Sequence, residues 1–468
     1  MKAGKEFTVS FENRVSELSV GIDIGTTTIS AAVIDVNSKE QIEVFSIPHD
    51  SYIGDKKFSE QSVSVMIGQA EGLLELIYKK YPGIVGIGIT GQMHGIVYLG
   101  DNGKALSNLI NWQDKRADLP IADGKSSCDM IKQLTGENIS TGYGIATHYY
   151  NLLNGLVPNG AVKFCSIMDL LAMRLCGLKE PITHVSVAAS FGLFDIKNNA
   201  FMSEKLDALG ICESFLPRVT PLNEIIGNWN GIPISVAIGD NQASFLGSVS
   251  DSRESLLVNI GTGSQISAVG YLSDPEEGIE LRPLIDGERL ICGSALCGGS
   301  AYALIEGFFR SYASFIGIGE GSQYGNINAL AEKAYESGER PLSVDTSFCG
   351  TRSDPSRRGT IENIDLNGFT PCALILGVIH GMCDELYKLY QKMNIKKTHI
   401  VASGGAVRKN TVLKKVLEDK FDMSVSICSV KEEAATGAAL FSAYAIGKTE
   451  YKGGFTDCIK YFDQEKTK

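Results

Sequence analysis

Ser235-Val-Ala-Ile-Gly-Asp-Asn-Gln-Ala243, followed after a short connector by Leu256-Leu-Val-Asn-Ile-Gly-Thr-Gly-Ser-Gln265, is the stretch that decides the fold. Val236 to Ile238 read as a buried strand that ends at Gly239 and delivers Asp240 at its tip, where open α/β sheets bind ligands. Leu256 to Ile260 form a second apolar run, broken by Gly261-Thr262-Gly263. Glycine lets such a turn approach a phosphate and aim its N–H groups inward. The pattern recurs near the start as Val20-Gly-Ile-Asp-Ile-Gly-Thr-Thr-Thr28, with Asp23 before Gly25, Thr26 and Thr27. Two strand–Gly–Thr turns, one opening each half, predict a duplicated α/β fold that closes on one nucleotide.

Working outward, 468 residues exceed one hydrophobic core, and two or three domains are expected. A hydrophobic content of 44% with 21% charged residues fits a globular chain. The net charge of −11 argues against nucleic-acid and anionic-membrane partners. No apolar run reaches the ~20 residues of a spanning helix. The polar opening, residues 1–18, does not read as a signal peptide. Eleven cysteines lie scattered from Cys128 to Cys458 with no CxxC pair, which predicts reduced thiols and a cytoplasmic setting.

The glycine turn after the first strand leads into another strand rather than a helix, unlike a Rossmann start. Ser62 to Tyr81 carry a helical stripe, and Ile84 to Thr90 form a strand ending in Gly91-Gln-Met-His-Gly95. Gln92, Met93 and His94 therefore stand at a strand end beside a small polar ligand. Residues 100–235 read as an insertion that builds a substrate surface. It contains Asn111-Trp-Gln-Asp-Lys-Arg116 and Thr141-Gly-Tyr-Gly-Ile-Ala-Thr147. Trp112 and Arg116 are either sugar contacts or, in turn, a core aromatic and one half of a surface ion pair. Later, Ala373 to Met393 read as a long helix, Ile400 to Ser403 as a strand, and Thr411 to Phe421 and Glu432 to Ala445 as helices. The junction at Gly404-Gly405 with Asn410 lets a base or ribose lie against backbone; no Walker A pattern is present.

In this order the motifs resemble the FGGY carbohydrate kinases of the actin-like ATPase superfamily. The pieces are Gly21-Ile-Asp-Ile-Gly-Thr-Thr, Gly91-Gln-Met-His-Gly, Trp112-Gln-Asp-Lys-Arg, Gly239-Asp-Asn-Gln-Ala, Asn259-Ile-Gly-Thr-Gly, Ser403-Gly-Gly-Ala and Glu433-Ala-Ala-Thr-Gly-Ala-Ala. Thr141-Gly-Tyr-Gly-Ile-Ala-Thr and Gly405-Ala-Val-Arg-Lys-Asn are similar to the sedoheptulokinase branch. The stretch Ile291 to Asn326 departs from the family pattern. The resemblance implies two actin-like (ribonuclease H-like) domains, residues 1–247 and 248–468, around a nucleotide and sugar cleft. It implies transfer of the ATP γ-phosphoryl group, with Mg²⁺, to the terminal hydroxyl of a ketose.

On that reading Asp240 is the base, and Asp23 holds Mg²⁺ with Asp240. Gln92, Met93, His94, Trp112, Arg116, Asp240, Asn241 and Gln242 meet the sugar. Gly25, Thr26, Thr27, Gly261 and Thr262 meet phosphate, and Gly404, Gly405 and Asn410 meet adenosine. Small Gly142, Gly144 and Ala146 leave room for a seven-carbon ketose, sedoheptulose, with xylulose or another polyol as the rival. A non-enzymatic actin-like filament or ATP-driven switch shares the phosphate turns, but has no use for the Gln92-Met93-His94 or Asp240-Asn241-Gln242 clusters. A sugar-binding regulator without catalysis has no use for Asp23 and Asp240. The partner is a small-molecule sugar, with no nucleic acid or membrane, and a homodimer is one assembly left open.

Overall fold

The computed structural model describes residues 16–54, 58–122, 124–351, 354, 356–455 and 458–462. Most of the polar opening segment lies outside them. Strands β1 (Leu18–Ile24), β2 (Thr28–Asp35) and β3 (Glu40–Pro48) precede helix α1 (Val63–Lys80) and strand β4 (Ile84–Gly91). Helix α2 (Gly144–Leu153) follows, then strands β5 (Ile225–Trp229), β6 (Ile232–Ser235) and β7 (Ile238–Gly239), and helix α3 (Asp240–Leu246). The second half runs β8 (Ser255–Ile260), β9 (Ser264–Val269), β10 (Ile279–Pro283), β11 (Arg289–Ala295) and helix α4 (Gly299–Phe315). It continues with α5 (Pro371–Lys392), β12 (His399–Ser403), α6 (Gly405–Lys409), α7 (Thr411–Phe421), β13 (Ser424–Ile427) and α8 (Glu433–Ala445).

The predicted duplication is visible in the strand order. The first sheet runs β5-β6-β4-β1-β2-β3, with β7 also on β4, and the second runs β10-β11-β9-β8-β12-β13. In each half the opening strand pairs antiparallel with its successor and parallel with a later strand, β1 with β4 and β8 with β12. The registers correspond too: Asp23 lies beside Thr90, and Asn259 beside Ser403. Asp23 and Asn259 are thus equivalent positions, and only the first half carries a carboxylate there.

Alternation along β1 explains its two faces. Val20, Ile22 and Ile24 are buried in one core with Met66, Ala70, Leu73 and Leu74 of α1. Ser19 and Gly21, together with Gly86 and Gly88 of β4, form an opposite face of very small residues. That face receives α8, itself built from alanine and glycine, and the Ser19 hydroxyl donates to Ala439 O at 2.8 Å. A Cβ on Gly21 would stand 1.8 Å from Ala435 O. Gly21→Ala is therefore expected to destabilise the protein by about 3 kcal/mol, the scale of an overpacked core. A wild-type denaturation midpoint in that variant would show that the sheet and helix do not meet this closely.

The insertion proves shorter than expected, because residues 225–235 belong to the first sheet as β5 and β6. The predicted strand at Val236 to Ile238 is also interrupted. Ile234 opposes Ile87 and Ile238 opposes Thr90, so four residues run against three of β4 and a bulge intervenes. Each half has its own core. A third cluster, with Ile34, Ile238, Phe245, Leu257, Val401 and Phe441, joins the two sheets through α3 and α8.

Candidate active site

A cavity of about 400 Å³ opens between the halves, lined among others by Asp23, Met93, His94, Trp112, Asp240, Asn241, Asn259, Gln265, Arg282 and Ser294. A groove of about 750 Å³ runs between α5 and residues 340–368. It shares only Ser294 with the cleft and contains neither Asp23 nor Asp240. Its charges are mixed, and chemistry requiring carboxylates at strand tips belongs to the smaller cavity.

Both carboxylates arrive where the strands end. β1 presents Asp23, and the β7–α3 junction makes Asp240 the first residue of α3. Burial, then the Asp240 and Glu432 carboxylates, push the Asp23 carboxyl up to about 8. Its Oδ1 is buried without a hydrogen-bond partner. Burial raises Asp240 to about 6, with Arg282 pulling the other way. Two desolvated carboxylates that repel one another and leave an acceptor unused are a fit for a hard cation. No cluster of three metal-ligating side chains exists among the described residues, so such an ion would keep water and phosphate oxygens as its other ligands.

The first half supplies one wall. His94 has φ +72°, a left-handed conformation held by its backbone N–H donating to Ser190 Oγ (3.2 Å) and by Nδ1 against Ser190 O (2.8 Å). Its ring stacks on Tyr143, centroids 4.3 Å apart. Tyr143 is the residue capping α2, so the Thr141–Thr147 stretch reaches the cavity through that ring. Its glycines do not provide room. A Cβ on Gly142 would fall 2.0 Å from Trp112 O, and one on Gly144 2.7 Å from Ile96 and Phe191 side chains. With Ala146 buried, they serve close approach, which brings Tyr143 against His94. Trp112 is 45% exposed, and its indole N–H donates to Thr26 Oγ1 at 3.0 Å, tying the aromatic to the first phosphate-type turn. The Gly25 N–H donates to Thr28 O, and Thr27 O accepts from the His49 N–H, so Gly25 and Thr27 shape that turn.

Four predicted contacts are placed elsewhere. Arg116 is buried and spends its guanidinium on Asp114 (2.9 Å), Glu60 (2.8 Å) and Asn151 (2.9 Å), stacked over Phe58. It braces the Trp112 loop and does not face the cavity. Gln92 is buried behind the cavity wall and donates to Gln61 Oε1 at 3.0 Å. Gln242 is buried and donates to Pro283 O at 2.9 Å, a link between the halves. Asn410 accepts from Leu413 N–H at 3.0 Å and is the N-cap of α7. Asn241 does line the cavity, and its Oδ1 accepts from the Cys292 thiol at 3.3 Å.

The second half contributes residues to which the sequence reading gave no contact. Asn259, Gln265 and Ser294 stand in one row across β8, β9 and β11, and all three face the cavity. Arg282 on β10 also faces it, and Glu280 two residues earlier shares its side of the strand. Period-two alternation in Ile279-Glu-Leu-Arg-Pro283 is the signal that places this pair together. Beside the row, the Gly261 and Thr262 carbonyls accept from Gly299, Gly298 and Ser300 N–H groups at 2.8, 2.9 and 3.1 Å. Gly404 has φ +96°, and a Cβ there would meet Ile260 O at 2.4 Å. A Cβ on Gly299 would fall 2.6 Å from Gly261 O and 3.7 Å from the Ala406 Cβ. Gly261, Gly298, Gly299, Gly404 and Gly405 thus bring bare backbone together, a surface suited to phosphate and a flat nucleoside. Gly298 and Gly299 lie in the stretch that departs from the family pattern.

Comparisons with known proteins agree with this construction. The model of the N-terminal domain of the FGGY family of carbohydrate kinases matches residues 18–253, and that of its C-terminal domain matches residues 314–446. The mouse sedoheptulokinase is 25% identical, over 90% of this chain and 96% of its own length. A xylulose kinase of Staphylococcus xylosus is 24% identical, over 91% of this chain and 90% of its own. A crystal structure of gluconate kinase from Lactobacillus acidophilus superposes with a TM-score of 0.84 at 19% identity, covering 96% and 93% of the two chains. A duplicated actin-like fold, carboxylates at the strand tips of the cleft and both domain models matched in order lead to one conclusion. The chain belongs to the FGGY family of carbohydrate kinases.

Proposed function

We propose that this carbohydrate kinase transfers the γ-phosphoryl group of ATP to the terminal hydroxyl of a neutral ketose, with sedoheptulose the preferred acceptor and sedoheptulose 7-phosphate the product. The observation that carries the reading is the Asp240 carboxylate in one cavity with the His94–Tyr143 stack. The sugar lies against Met93, His94 and Trp112, and its terminal hydroxyl meets Asp240. Asp240 accepts the hydroxyl proton as the oxygen bonds to phosphorus and the bond to the bridging oxygen of ADP breaks. Phosphoryl transfer asks mainly for such positioning and for charge neutralisation. Mg²⁺ held by Asp23, with Asp240 beside it, would neutralise the phosphates. The Thr26–Thr27 and Gly261–Thr262 turns would hold phosphate oxygens from opposite halves, and the Gly404–Gly405 surface the adenosine.

Charge favours a neutral sugar over an aldonate. Near neutral pH Asp240 is mostly ionised, and the cavity's one cation among the described residues, Arg282, is already paired with Glu280. Another carboxylate entering there meets net negative charge. The eleven cysteines are scattered with no CxxC pair, and we place the enzyme in the cytoplasm. The division into halves at residues 247 and 248 belongs to the same proposal.

The test is kcat/KM for sedoheptulose, xylulose and gluconate under equal MgATP. Sedoheptulose is expected to lead, with residual turnover of xylulose, because extra hydroxyls are discriminated strongly only where the site hydrogen-bonds them. A clear preference for xylulose or gluconate would overturn the substrate assignment.

A further inference from the structure

Arg282 is an unusual residue to find in a sugar cavity. Its side chain is 11% exposed, and Glu280 Oε2 accepts from both Nε (3.1 Å) and Nη2 (2.7 Å). Burial opposes its charge, but Glu280 outweighs that cost and keeps the guanidinium protonated. A guanidinium carries five N–H donors in a rigid fork, and Glu280 engages only one edge. The rest of the fork is left to the cavity that Arg282 lines. Arg282 interacts electrostatically with Asp240 and also with Tyr143, the ring stacked on His94. The guanidinium therefore lines the same cavity as the base that takes the terminal hydroxyl and as His94, on the wall expected to hold the other end of the sugar. It reaches there from the second half, whereas Asp240, His94 and Tyr143 all belong to the first.

We propose that Arg282 is a specificity-determining residue that donates hydrogen bonds to hydroxyls in the middle of the bound sugar, so that longer ketoses are preferred to shorter ones. The inference rests on the ketose reading given above and adds the residue that measures chain length. The chemistry follows from spacing. A ketose anchored at both ends spans the gap, and a seven-carbon chain places two more hydroxyl-bearing carbons beneath the fork than a five-carbon chain does. When a short sugar binds, the buried donors lose water without gaining a partner, and an unpaired buried donor is costly. A site built to hydrogen-bond a hydroxyl rejects the analogue lacking it far better than an apolar pocket rejects a missing methylene. Because Arg282 rides on β10, the same contacts tie the second half to the sugar and not only to the nucleotide.

The experiment compares wild type, Arg282→Met, Arg282→Lys and the double variant Glu280→Gln/Arg282→Met. The double variant removes the Glu280 charge together with the Arg282 charge that offsets it, so that a folding failure of the single variant does not end the test. Steady-state kinetics with sedoheptulose, fructose and xylulose at fixed MgATP are joined by sugar titrations that follow tryptophan fluorescence, Trp112 lying in the cavity. The expected result is a fall of about 10²-fold in kcat/KM for the seven-carbon sugar and of less than about fivefold for the five-carbon one, the scale of losing hydrogen bonds to a charged donor. Arg282→Lys recovers part of the ratio, and KM for MgATP moves little in every variant. Equal losses on all three sugars would assign Arg282 to the base or to the fold and overturn the proposal. If wild type prefers xylulose, the substrate assignment fails by itself. The length ratio of the variants then still decides on Arg282, since an unchanged ratio overturns its role and a changed one supports it.

Discussion

Replacing Asp240 by Asn lowers turnover by about 10²–10⁴-fold, the usual loss on removing a general base, while the protein folds and binds sugar nearly as wild type. The swap is close to isosteric, and the position asks little else of the side chain. Asp240 is the first residue of α3, and the Asp240 and Asn241 backbone N–H groups that favour its carboxylate can be met by an Asn oxygen as well. An amide there keeps a polar group in the helix's first turn, but it has no lone pair basic enough to take the hydroxyl proton. Sugar affinity, followed by fluorescence or calorimetry, separates the two effects, because Met93, His94 and Trp112 are untouched. Near-normal turnover in a folded Asp240→Asn enzyme removes Asp240 from the role, whatever its place in the cavity.

Replacing Asp23 by Asn has two opposite effects. Turnover falls by about 10²–10³-fold, as for the loss of one preorganised electrostatic group. Stability of the ligand-free protein rises with pH relative to wild type. The folded-state carboxyl titrates near 8, above its ordinary value of 3.8. Its contribution to stability is therefore complete below pH about 4 and declines until the pH passes the folded-state value. Asn does not titrate, so the variant gains nothing near pH 4 and gains most above pH 8. Allowing for screening of a half-buried group, the gain there is on the order of 2 kcal/mol. Thermal unfolding of both proteins at pH 5 and pH 8.5, without nucleotide or divalent ion, reads it directly. A variant no more stable than wild type at pH 8.5 shows that Asp23 carries no such strain, and the case for a cation there loses its physical basis.

The backbone features of this site were legible in the sequence because they are local. The Gly-Thr turn after the first apolar run gave the opening hairpin of the first half, the second such turn fell at the end of β8, and the helical stripe from Ser62 matched α1 within a residue at either end. Asp23, Met93, His94, Trp112, Asp240 and Asn241 all line the cavity, since a strand end has few directions in which to present its next residue. Side-chain commitments were not legible, because the partner is remote in sequence. Arg116 looks like a sugar ligand until Glu60 and Asn151, 56 and 35 residues away, are brought beside it. Gln242 reads as a sugar-orienting amide, and only the approach of Pro283 shows what it bonds. Asn410 shares its chemistry between helix capping and ligand binding, and the start of α7 selects the former. Arg282 was missed for the complementary reason. It lies in an unremarkable edge strand, and its importance comes from a cavity assembled by both halves.

The small-residue seat that β1 and β4 offer to α8 also bears on how the protein is made. The helix that completes the first sheet is encoded some 400 residues after β1, so the ribosome finishes that sheet long before its cover exists. During most of synthesis a face built around Gly21, Gly86 and Gly88 has no side chains of its own to shield it and must wait or be shielded by something else. A fragment ending near residue 430 would keep every strand of both sheets and lack the helix that seats on the small-residue face of the first. Separately expressed halves would meet the same deficit, whereas a circular permutant that begins with residues 433–445 and continues into β1 would supply the cover first. The position of this helix thus constrains assembly order as well as the cleft, which its Ala434 lines.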